Sequence, residues 1–285
     1  MSASFFSVIV CSVDTWKFAQ TSACYARLLA GTPFEIIGIH DALSLAEGYN
    51  RGLRQCRGDI VIFSHDDVLF LDRGFAHKIG ERMQNWDLLG FAGSSRIVNP
   101  PRWFAAGWPH LHGAVCHWSR LQSNMLTFNI YGMNGWPVSG DIQTLDGLCL
   151  IARRDTAAAT GFDDDTFDGW HLYDSDFSFA ASLAGYKVGV CCDMPYIHAS
   201  ASIQTTENPY VSDAYLKYTE RFIAKYRAEK IPECAPKPTP GVCIDVHDHL
   251  ALMRLWNEII FRRTTFTTTR RQTTRDSMPI DFHIL

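Results

Sequence analysis

The run Ile60-Val61-Ile62-Phe63-Ser64-His65-Asp66-Asp67-Val68-Leu69-Phe70-Leu71 places an imidazole and two adjacent carboxylates in the most apolar segment of the chain. The β-branched and aromatic residues that open the run are typical of a strand buried on both faces, as in a parallel sheet. His65, Asp66 and Asp67 would then lie at the carboxyl end of that strand. This is the edge at which open α/β sheets bind ligands.

Two adjacent carboxylates at such an edge need a counter-charge, because an unpaired buried charge costs several kcal/mol. Hard oxygen ligands favour Mg²⁺ or Mn²⁺, which proteins commonly hold with one or two carboxylates together with substrate phosphates. The alternative is an Asx turn in which Asp66 caps the following segment. The run by itself leaves both interpretations open.

The composition of the whole chain narrows the class of protein. Its 285 residues are 47% hydrophobic and 13% aromatic, which predicts one large domain with a substantial core. The formal net charge of −4, from 26 basic and 30 acidic residues, argues against a globally basic nucleic-acid binder. The nine cysteines are odd in number and contain no CxxC pair, so they indicate a reducing compartment rather than a disulfide framework or zinc ribbon.

The N-terminal apolar stretch, Phe5 to Cys11, is short and has no basic residue before it. It predicts a first strand rather than a signal peptide. No run approaches the ~20 apolar residues that a membrane span needs. We therefore expect a soluble cytoplasmic protein.

Strands and helices alternate through the first third of the chain, which predicts a parallel, right-handed, doubly wound sheet. A helix and a fourth strand should follow, and Asp41 is the expected cap of the second helix. The predicted segments are the strands Phe5–Val13, Phe34–Ile39 and Ile60–Phe63, the helices Ala19–Leu29, Asp41–Cys56 and Asp72–Gln84, and the strand Leu88–Gly93.

From Asn99 to Asp141 the periodicity fades and Trp, Gly, Pro, His and Asn become frequent. This predicts loops and irregular strands that form a pocket wall rather than a regular layer. His110, His112 and His117 lie in this region beside Cys116. Their spacing fits no standard zinc pattern, so a zinc site is only a minor alternative.

Six acidic residues fall within the sixteen from Gly161 to Asp176, directly before an apolar helical face that ends at Gly185. Asp146 opens a further predicted strand upstream. Capping explains one carboxylate at the start of that helix, Asp174 or Asp176, but not the whole cluster. Residues 203–285 then change character, with two amphipathic helices, a proline-rich connector and a Thr/Arg tail, which predicts a C-terminal helical extension of a domain spanning 1–202.

The order and spacing of four segments resemble the family 2 glycosyltransferases, which have the GT-A fold and use nucleotide-diphosphate sugars. The chain is most similar to a bacterial branch whose acidic helix start reads Gly-Trp-His-Leu-Tyr-Asp-x-Asp. The resemblance covers roughly residues 5–202. The four segments are Cys11–Asp14, Ala46–Gly52 with Gly58-Asp59, His65–Asp67 and Tyr173–Asp176.

This resemblance implies a divalent cation, Mn²⁺ or Mg²⁺, at the family's Asp-x-Asp position. Asp67 would be its principal ligand, Asp66 a second ligand or a ribose contact, and His198 a ligand from the opposite side. A hydrogen-bonded loop histidine is an equally open interpretation of His198. Two positions depart from the family pattern, because His65 replaces the first Asp and Tyr173 replaces the Glu of the catalytic pair.

The resemblance also implies a nucleotide-sugar site. Ser12, Asp14 and Asp41 would hold the base and ribose, and Asp146 would bind donor or acceptor hydroxyls. Asn50 reaches phosphate in one interpretation and only faces solvent in the other. Tryptophans at 103, 108, 136 and 170 are candidate stacking surfaces for sugar rings or, equally, packing residues.

The implied activity is sugar transfer from a nucleotide-diphosphate donor to a hydroxyl, with Asp174 as general base and inversion of the anomeric centre. Neighbouring acidic residues should raise the pKa of Asp174. A catalytically silent nucleotide-sugar-binding or assembly module of the same fold is the alternative. A nucleotidylyltransferase is disfavoured, because Cys11 to Trp16 contains no glycine for a phosphate loop.

The acceptor is expected to be a glycan, a lipid-linked glycan or a small molecule, as in bacterial polysaccharide biosynthesis. Basic residues near the C-terminus predict peripheral contact with the inner membrane face, or else a solubilising tail. They are Arg262, Arg263, Arg270, Arg271 and Arg275.

Overall fold

The structure, a computed structural model, describes residues 4–118, 125–133, 135–199, 212–234, 242–262 and 272–273. Its strands are β1 (Phe6–Cys11), β2 (Phe34–Ile39), β3 (Ile60–Ser64), β4 (Val68–Phe70), β5 (Leu88–Gly90), β6 (Ala92–Ser94), β7 (Leu111–Trp118), β8 (Leu126–Gly132), β9 (Val138–Ser139), β10 (Thr144–Leu145), β11 (Cys149–Arg153), β12 (Val188–Cys191), β13 (Tyr196–His198), β14 (Val242–Val246) and β15 (Gln272–Thr273). Its helices are α1 (Thr15–Leu28), α2 (Leu45–Gln55), α3 (Phe75–Arg82), α4 (Arg154–Thr160), α5 (Tyr173–Leu183), α6 (Asp213–Lys225) and α7 (His249–Arg262).

The first sheet has seven strands in the order β2-β1-β3-β11-β5-β12-β9. β1 pairs in parallel with β2 and β3, and β5 pairs in parallel with β12. β11 runs antiparallel to both β3 and β5, and β9 is antiparallel to β12. Five of the seven strands thus share one direction, which confirms the predicted mostly parallel α/β sheet.

The second sheet follows the order β10-β6-β7-β8-β14-β15. β7 and β8, with eight and seven residues, form its central antiparallel pair. The prediction of loops and irregular strands, rather than a regular layer, from Asn99 to Asp141 is therefore wrong for residues 111–118 and 126–132. A register shift between Gly113 and Ala114 interrupts the pairing, and glycines within strands obscure the sequence signal.

Several predicted boundaries move by a few residues. α1 begins at Thr15 because Asp14 caps it, accepting from the Trp16 and Lys17 amides. Ser44 caps α2 in place of the expected Asp41, since its hydroxyl accepts from the Glu47 amide. The strand predicted at 88–93 divides at Phe91 into β5 and β6, which belong to different sheets.

The C-terminal helices pack on the rest of the molecule. On α6, the Phe222 ring lies 6.0 Å from that of Phe179 on α5. On α7, buried Trp256 stacks on Phe128 of β8 at 4.6 Å, and its indole N–H donates to the Cys192 carbonyl at 2.6 Å. The boundary at residue 203 stays a prediction.

Of the basic C-terminal cluster, only the backbone of Arg262 belongs to the described residues. Arg263, Arg270, Arg271 and Arg275 lie outside them. Within the described segments, every helix is too short or too polar to cross a bilayer.

Candidate active site

The centre of the site forms where β3 ends and β13 returns beside β4. β13 pairs antiparallel with β4 so that His198 lies opposite Val68, and the Ala199 amide donates to the Asp67 carbonyl at 2.7 Å. This pairing brings His198 to Asp67 across more than one hundred residues of chain. His65, Asp67 and His198 each offer a ligand atom, and these atoms lie within 4.8 Å of one another.

Two of these ligand atoms lack hydrogen bonds. Asp67 Oδ1 and His198 Nε2 are 3.2 Å apart, and the two side chains are 16% and 13% exposed. Both atoms are shielded from solvent, and neither makes a hydrogen bond of acceptable geometry. Buried polar atoms are ordinarily satisfied. A buried carboxylate and imidazole at ion-pair distance, with a second imidazole beside them, form a donor set suited to a shared cation.

Asp67 and His198 each stabilise the charged form of the other. Burial opposes the charge on His198, but the neighbouring Asp67 outweighs it and raises the pKa of His198. Burial opposes ionisation of Asp67, but the His198 ring outweighs it and lowers the pKa of Asp67 to about 2. Burial and the neighbouring His198 lower the pKa of His65. The same two causes lower the pKa of His117 on β7 to about 4. His65 and His117 are thus held neutral at pH 7, and neutral imidazole is the form that binds metals.

A pocket of about 240 Å³ opens beside this group. The Ser12 hydroxyl donates to Asp66 Oδ2 at 2.6 Å, and the Thr21 hydroxyl donates to the Asp66 carbonyl at 2.6 Å. Asp66 is thereby turned toward the end of β1. Trp170, with 54% of its surface exposed, lines the pocket opposite these polar groups.

Asp174 lies in the first turn of α5, after Leu172 in a left-handed conformation with φ of 62°. Its Oδ2 accepts from the Gly147 amide at 2.8 Å, and its Oδ1 accepts from the Ser175 amide at 2.8 Å. Burial first, and then the charge of Asp146, raise the pKa of Asp174 to about 7. A carboxylate with that pKa is suited to accept a proton near neutral pH.

Asp146 stands in the turn between β10 and β11, not at the start of a strand as predicted. Its Oδ2 accepts from the Trp103 indole at 2.9 Å, and its Oδ1 accepts from the Leu148 amide at 2.9 Å. These bonds hold the Asp146 charge in place near Asp174. Trp103 is therefore a buried packing and hydrogen-bonding residue.

A family model described as "Glycosyltransferase like family" matches residues 7–226. The chain belongs to that family. Together with the topology of the first sheet, this membership confirms the predicted GT-A-type fold class. The sequence matches none of the curated proteins that were searched.

Solved structures similar to this glycosyltransferase-like chain are distant. A variant of Drosophila β-1,4-galactosyltransferase 7, in complex with manganese, UDP-Gal and xylobiose, has 14% identity and a TM-score of 0.42, with 73% of this chain and 72% of that chain covered. A mannosyltransferase from Pyrobaculum calidifontis, in complex with GDP-Man and Mn²⁺, has 10% identity and a TM-score of 0.47, with 91% and 70% covered. Likenesses at this level add nothing to the topology already described.

Three predicted site residues of this glycosyltransferase-like protein make structural contacts outside the cation group. Asp14 caps α1 and is exposed. Asp41 is exposed and pairs with Arg51 at 2.8 Å. The Asn50 amide is used at both ends by the Phe162 backbone, with bonds of 2.7 and 3.1 Å, so it neither reaches into the pocket nor simply faces solvent.

Three residues that the sequence did not assign take part in the site. His65 belongs to the cation group, Tyr173 bonds His65, and Gly147 bonds Asp174. In the sequence, His65 and Tyr173 stand out only as departures from the family pattern. The minor zinc alternative at residues 110–117 finds no support among the described residues, where the His65, Asp67 and His198 group is the one cluster with metal-ligand spacing.

Proposed function

We propose that the protein transfers a sugar from a nucleotide-diphosphate donor to an acceptor hydroxyl, with a divalent cation at His65, Asp67 and His198 and with Asp174 as general base. The observation that carries the proposal is the convergence of ligand atoms from His65, Asp67 and His198 within 4.8 Å of one another. Membership of the glycosyltransferase-like family supports it.

The donor set favours manganese over magnesium. Two imidazoles and one carboxylate suit a softer ion than Mg²⁺, which prefers oxygen ligands and retained waters. When bound, such a cation supplies Lewis-acid stabilisation of the negative charge on the leaving diphosphate. Asp67 is the principal ligand and His198 its partner from β13.

The donor nucleoside is expected in the pocket beside the cation group. Ser12 and Asp66, already joined at 2.6 Å, present a hydroxyl and a carboxylate suited to ribose hydroxyls. Asp14 and Asp41, exposed at the same edge of the sheet, contact the base in this proposal. Trp170 offers the aromatic face for a sugar ring.

Asp174 removes the proton from the acceptor hydroxyl as that oxygen attacks the anomeric carbon. Its Gly147 and Ser175 hydrogen bonds fix the carboxylate, and burial together with the Asp146 charge raises its pKa to about 7, which suits this role. A single displacement of this kind inverts the anomeric centre. Asp146, whose charge acts on Asp174, binds an acceptor hydroxyl in this proposal.

The proposed setting is the cytoplasmic face of a bacterial membrane, with a lipid-linked glycan acceptor in polysaccharide biosynthesis. A cleft of about 920 Å³ between α1, α3 and α7 supports contact with anionic phospholipid. Arg27 and Arg73 stand at this cleft, and neither pairs with a carboxylate in the described segments. Leu71 and Leu250 contribute apolar surface beside them.

A catalytically silent binding module is the second candidate. The two departures at His65 and Tyr173 favour it, because each removes a carboxylate that the family pattern supplies. The two candidates differ in one observable, the release of nucleoside diphosphate in the presence of donor and acceptor.

The first test is thermal stabilisation of the purified protein by a panel of nucleoside diphosphates, with and without Mn²⁺. We expect one nucleotide to stabilise the wild type only when Mn²⁺ is present. Asp67→Ala should abolish this effect, and Asp155→Ala, which removes an exposed carboxylate from α4, should retain it. No stabilisation by any nucleotide would contradict both candidates, and binding without diphosphate release would favour the silent module.

A further inference from the structure

The two positions that depart from the family pattern contact each other. The His65 Nε2 and the Tyr173 hydroxyl are 2.7 Å apart, and Tyr173 is 4% exposed. The two residues come from different elements, the end of β3 and the start of α5, 108 positions apart. The contact joins Tyr173 to His65, one of the three residues proposed to hold the cation.

One arrangement of hydrogens satisfies both contacts of the Tyr173 hydroxyl, with Gly147 and with His65. The Tyr173 hydroxyl has one hydrogen, and it donates to the Gly147 carbonyl at 3.2 Å. The hydroxyl oxygen therefore accepts from His65, whose Nε2 carries the ring hydrogen. Nδ1 is then the nitrogen whose lone pair is available.

Gly147 extends this contact to the proposed base. Its carbonyl accepts from Tyr173, and its amide donates to Asp174 Oδ2 at 2.8 Å. A Cβ at position 147 would overlap the Tyr173 hydroxyl, so the close approach requires glycine. One hydrogen-bonded chain thus runs from His65 through Tyr173 and Gly147 to Asp174.

We propose that Tyr173 is a positioning residue that holds the His65 ring with Nδ1 free for the cation and fixes the cation group relative to Asp174. The inference rests on the proposed function, because it assigns a role within the same site. Partners that orient a metal-binding histidine typically change metal affinity 10–100-fold when removed. In this proposal the two residues that depart from the family pattern act as a pair, with Tyr173 orienting the His65 ring.

The packing role of Tyr173 can be separated from its hydroxyl. Its ring lies 5.8 Å from that of Tyr49 and 6.3 Å from that of Phe162, so Tyr173→Phe preserves these contacts. Tyr226→Phe is a matched control. It also removes a hydroxyl of a buried tyrosine that bonds a side chain at 2.7 Å, in this case Asp176 and away from the cation group.

The test is Mn²⁺ binding followed by electron paramagnetic resonance, with Mn²⁺ alone and with each nucleoside diphosphate. We expect Tyr173→Phe to bind Mn²⁺ 10–100-fold more weakly than the wild type, and Tyr226→Phe to bind it unchanged. His65→Ala should weaken binding by a similar factor. The double variant should be no weaker than His65→Ala, because both changes remove one interaction.

Three results would overturn the inference: wild-type affinity in Tyr173→Phe, independent losses that multiply in the double variant, or no Mn²⁺ binding by the wild type under any condition. If the wild type bound no Mn²⁺, the thermal stabilisation assay would still show whether it binds a nucleotide without a cation. Conversely, the variants could show the expected Mn²⁺ affinities while the wild type releases no nucleoside diphosphate. That result would refute sugar transfer and leave the positioning role of Tyr173 intact.

Discussion

Asp174 combines hydrogen bonds that favour its charged form with surroundings that oppose it. The amides of Gly147 and Ser175 stabilise the carboxylate. Burial and the Asp146 charge outweigh them and raise its pKa to about 7. Tyr49 and Tyr173 also face this region, and burial raises the pKa of each well above its usual value. Asp174 is therefore an acid of the site whose pKa lies near neutral pH, whereas the two buried tyrosines stay protonated there.

The sign of the resulting pH dependence follows from the role of Asp174 as a base. Below its pKa of about 7 the carboxyl is protonated and inactive, so the rate should rise about tenfold per pH unit and level above pH 7. Asp174→Asn should lower kcat about 10²–10⁴-fold and remove the rising limb. Asp165→Asn, which changes an exposed acid of the same stretch, should retain the rise of the rate with pH. If the rate of Asp174→Asn still rose with pH below pH 7, the rise would belong to the titration of another group.

Sequence reasoning identified the charged residues of the site better than their partners. Asp67 and His198 converge as predicted, because a double Asp after a buried strand and a His after a late strand are local signals. The bonds of His65 to Tyr173 and of Asp174 to Gly147 depend on how β3, β11 and α5 meet. No local pattern encodes that meeting.

At the scale of elements, α5 is held to α6 by a buried charge. The Asp176 side chain is 2% exposed and accepts from Lys225 at 2.7 Å and from the Tyr226 hydroxyl at 2.7 Å. Asp174 and Asp176 therefore have different roles: Asp174 is the proposed general base, and Asp176 joins α5 to α6. The sequence predicted that capping could not explain the whole acidic stretch, and these contacts supply the reason.

Lys225 and Lys217 on α6 give a direct comparison of buried and exposed ion pairs. Lys225→Ala leaves Asp176 without its cation and should lower the free energy of unfolding by about 2–4 kcal/mol. Lys217 pairs with Asp168 at 3.4 Å, and the two side chains are 48% and 49% exposed. Lys217→Ala should therefore cost no more than about 1 kcal/mol. Urea unfolding measures both, and equal losses would refute the structural role of Asp176.

The second sheet shows why some elements escape sequence reasoning. β7 and β8 contain Trp, Gly and His where regular strands usually have β-branched residues. Besides its neighbour β7, β8 pairs with β14, more than one hundred residues later. Pairing across such a distance stabilises strands whose own composition predicts loops. β1, β2 and β3, by contrast, pair with near neighbours in sequence and were predicted.

At the scale of the whole molecule, the net charge of −4 disfavours adsorption to an anionic surface. The cleft between α1, α3 and α7 differs locally, because Arg27 and Arg73 stand beside apolar side chains. Leu250, on the α7 side, is 44% exposed. Lys78, also at this cleft, is already paired with Asp72 at 2.5 Å. Among the described residues that line this cleft, Arg27 and Arg73 are thus the arginines available to a lipid phosphate.

Flotation with vesicles containing phosphatidylglycerol tests this proposed contact. Each basic residue near an anionic surface contributes about 1 kcal/mol, so Arg27→Ala/Arg73→Ala should weaken binding about 25-fold. Arg54→Ala/Arg227→Ala removes the same charge from exposed sites elsewhere and should bind like the wild type. Binding that falls equally in both double variants would indicate a diffuse charge effect and contradict a lipid site at the cleft. Wild-type protein that ignores anionic vesicles would refute the membrane contact itself, while leaving the assays of cation and nucleotide binding unaffected.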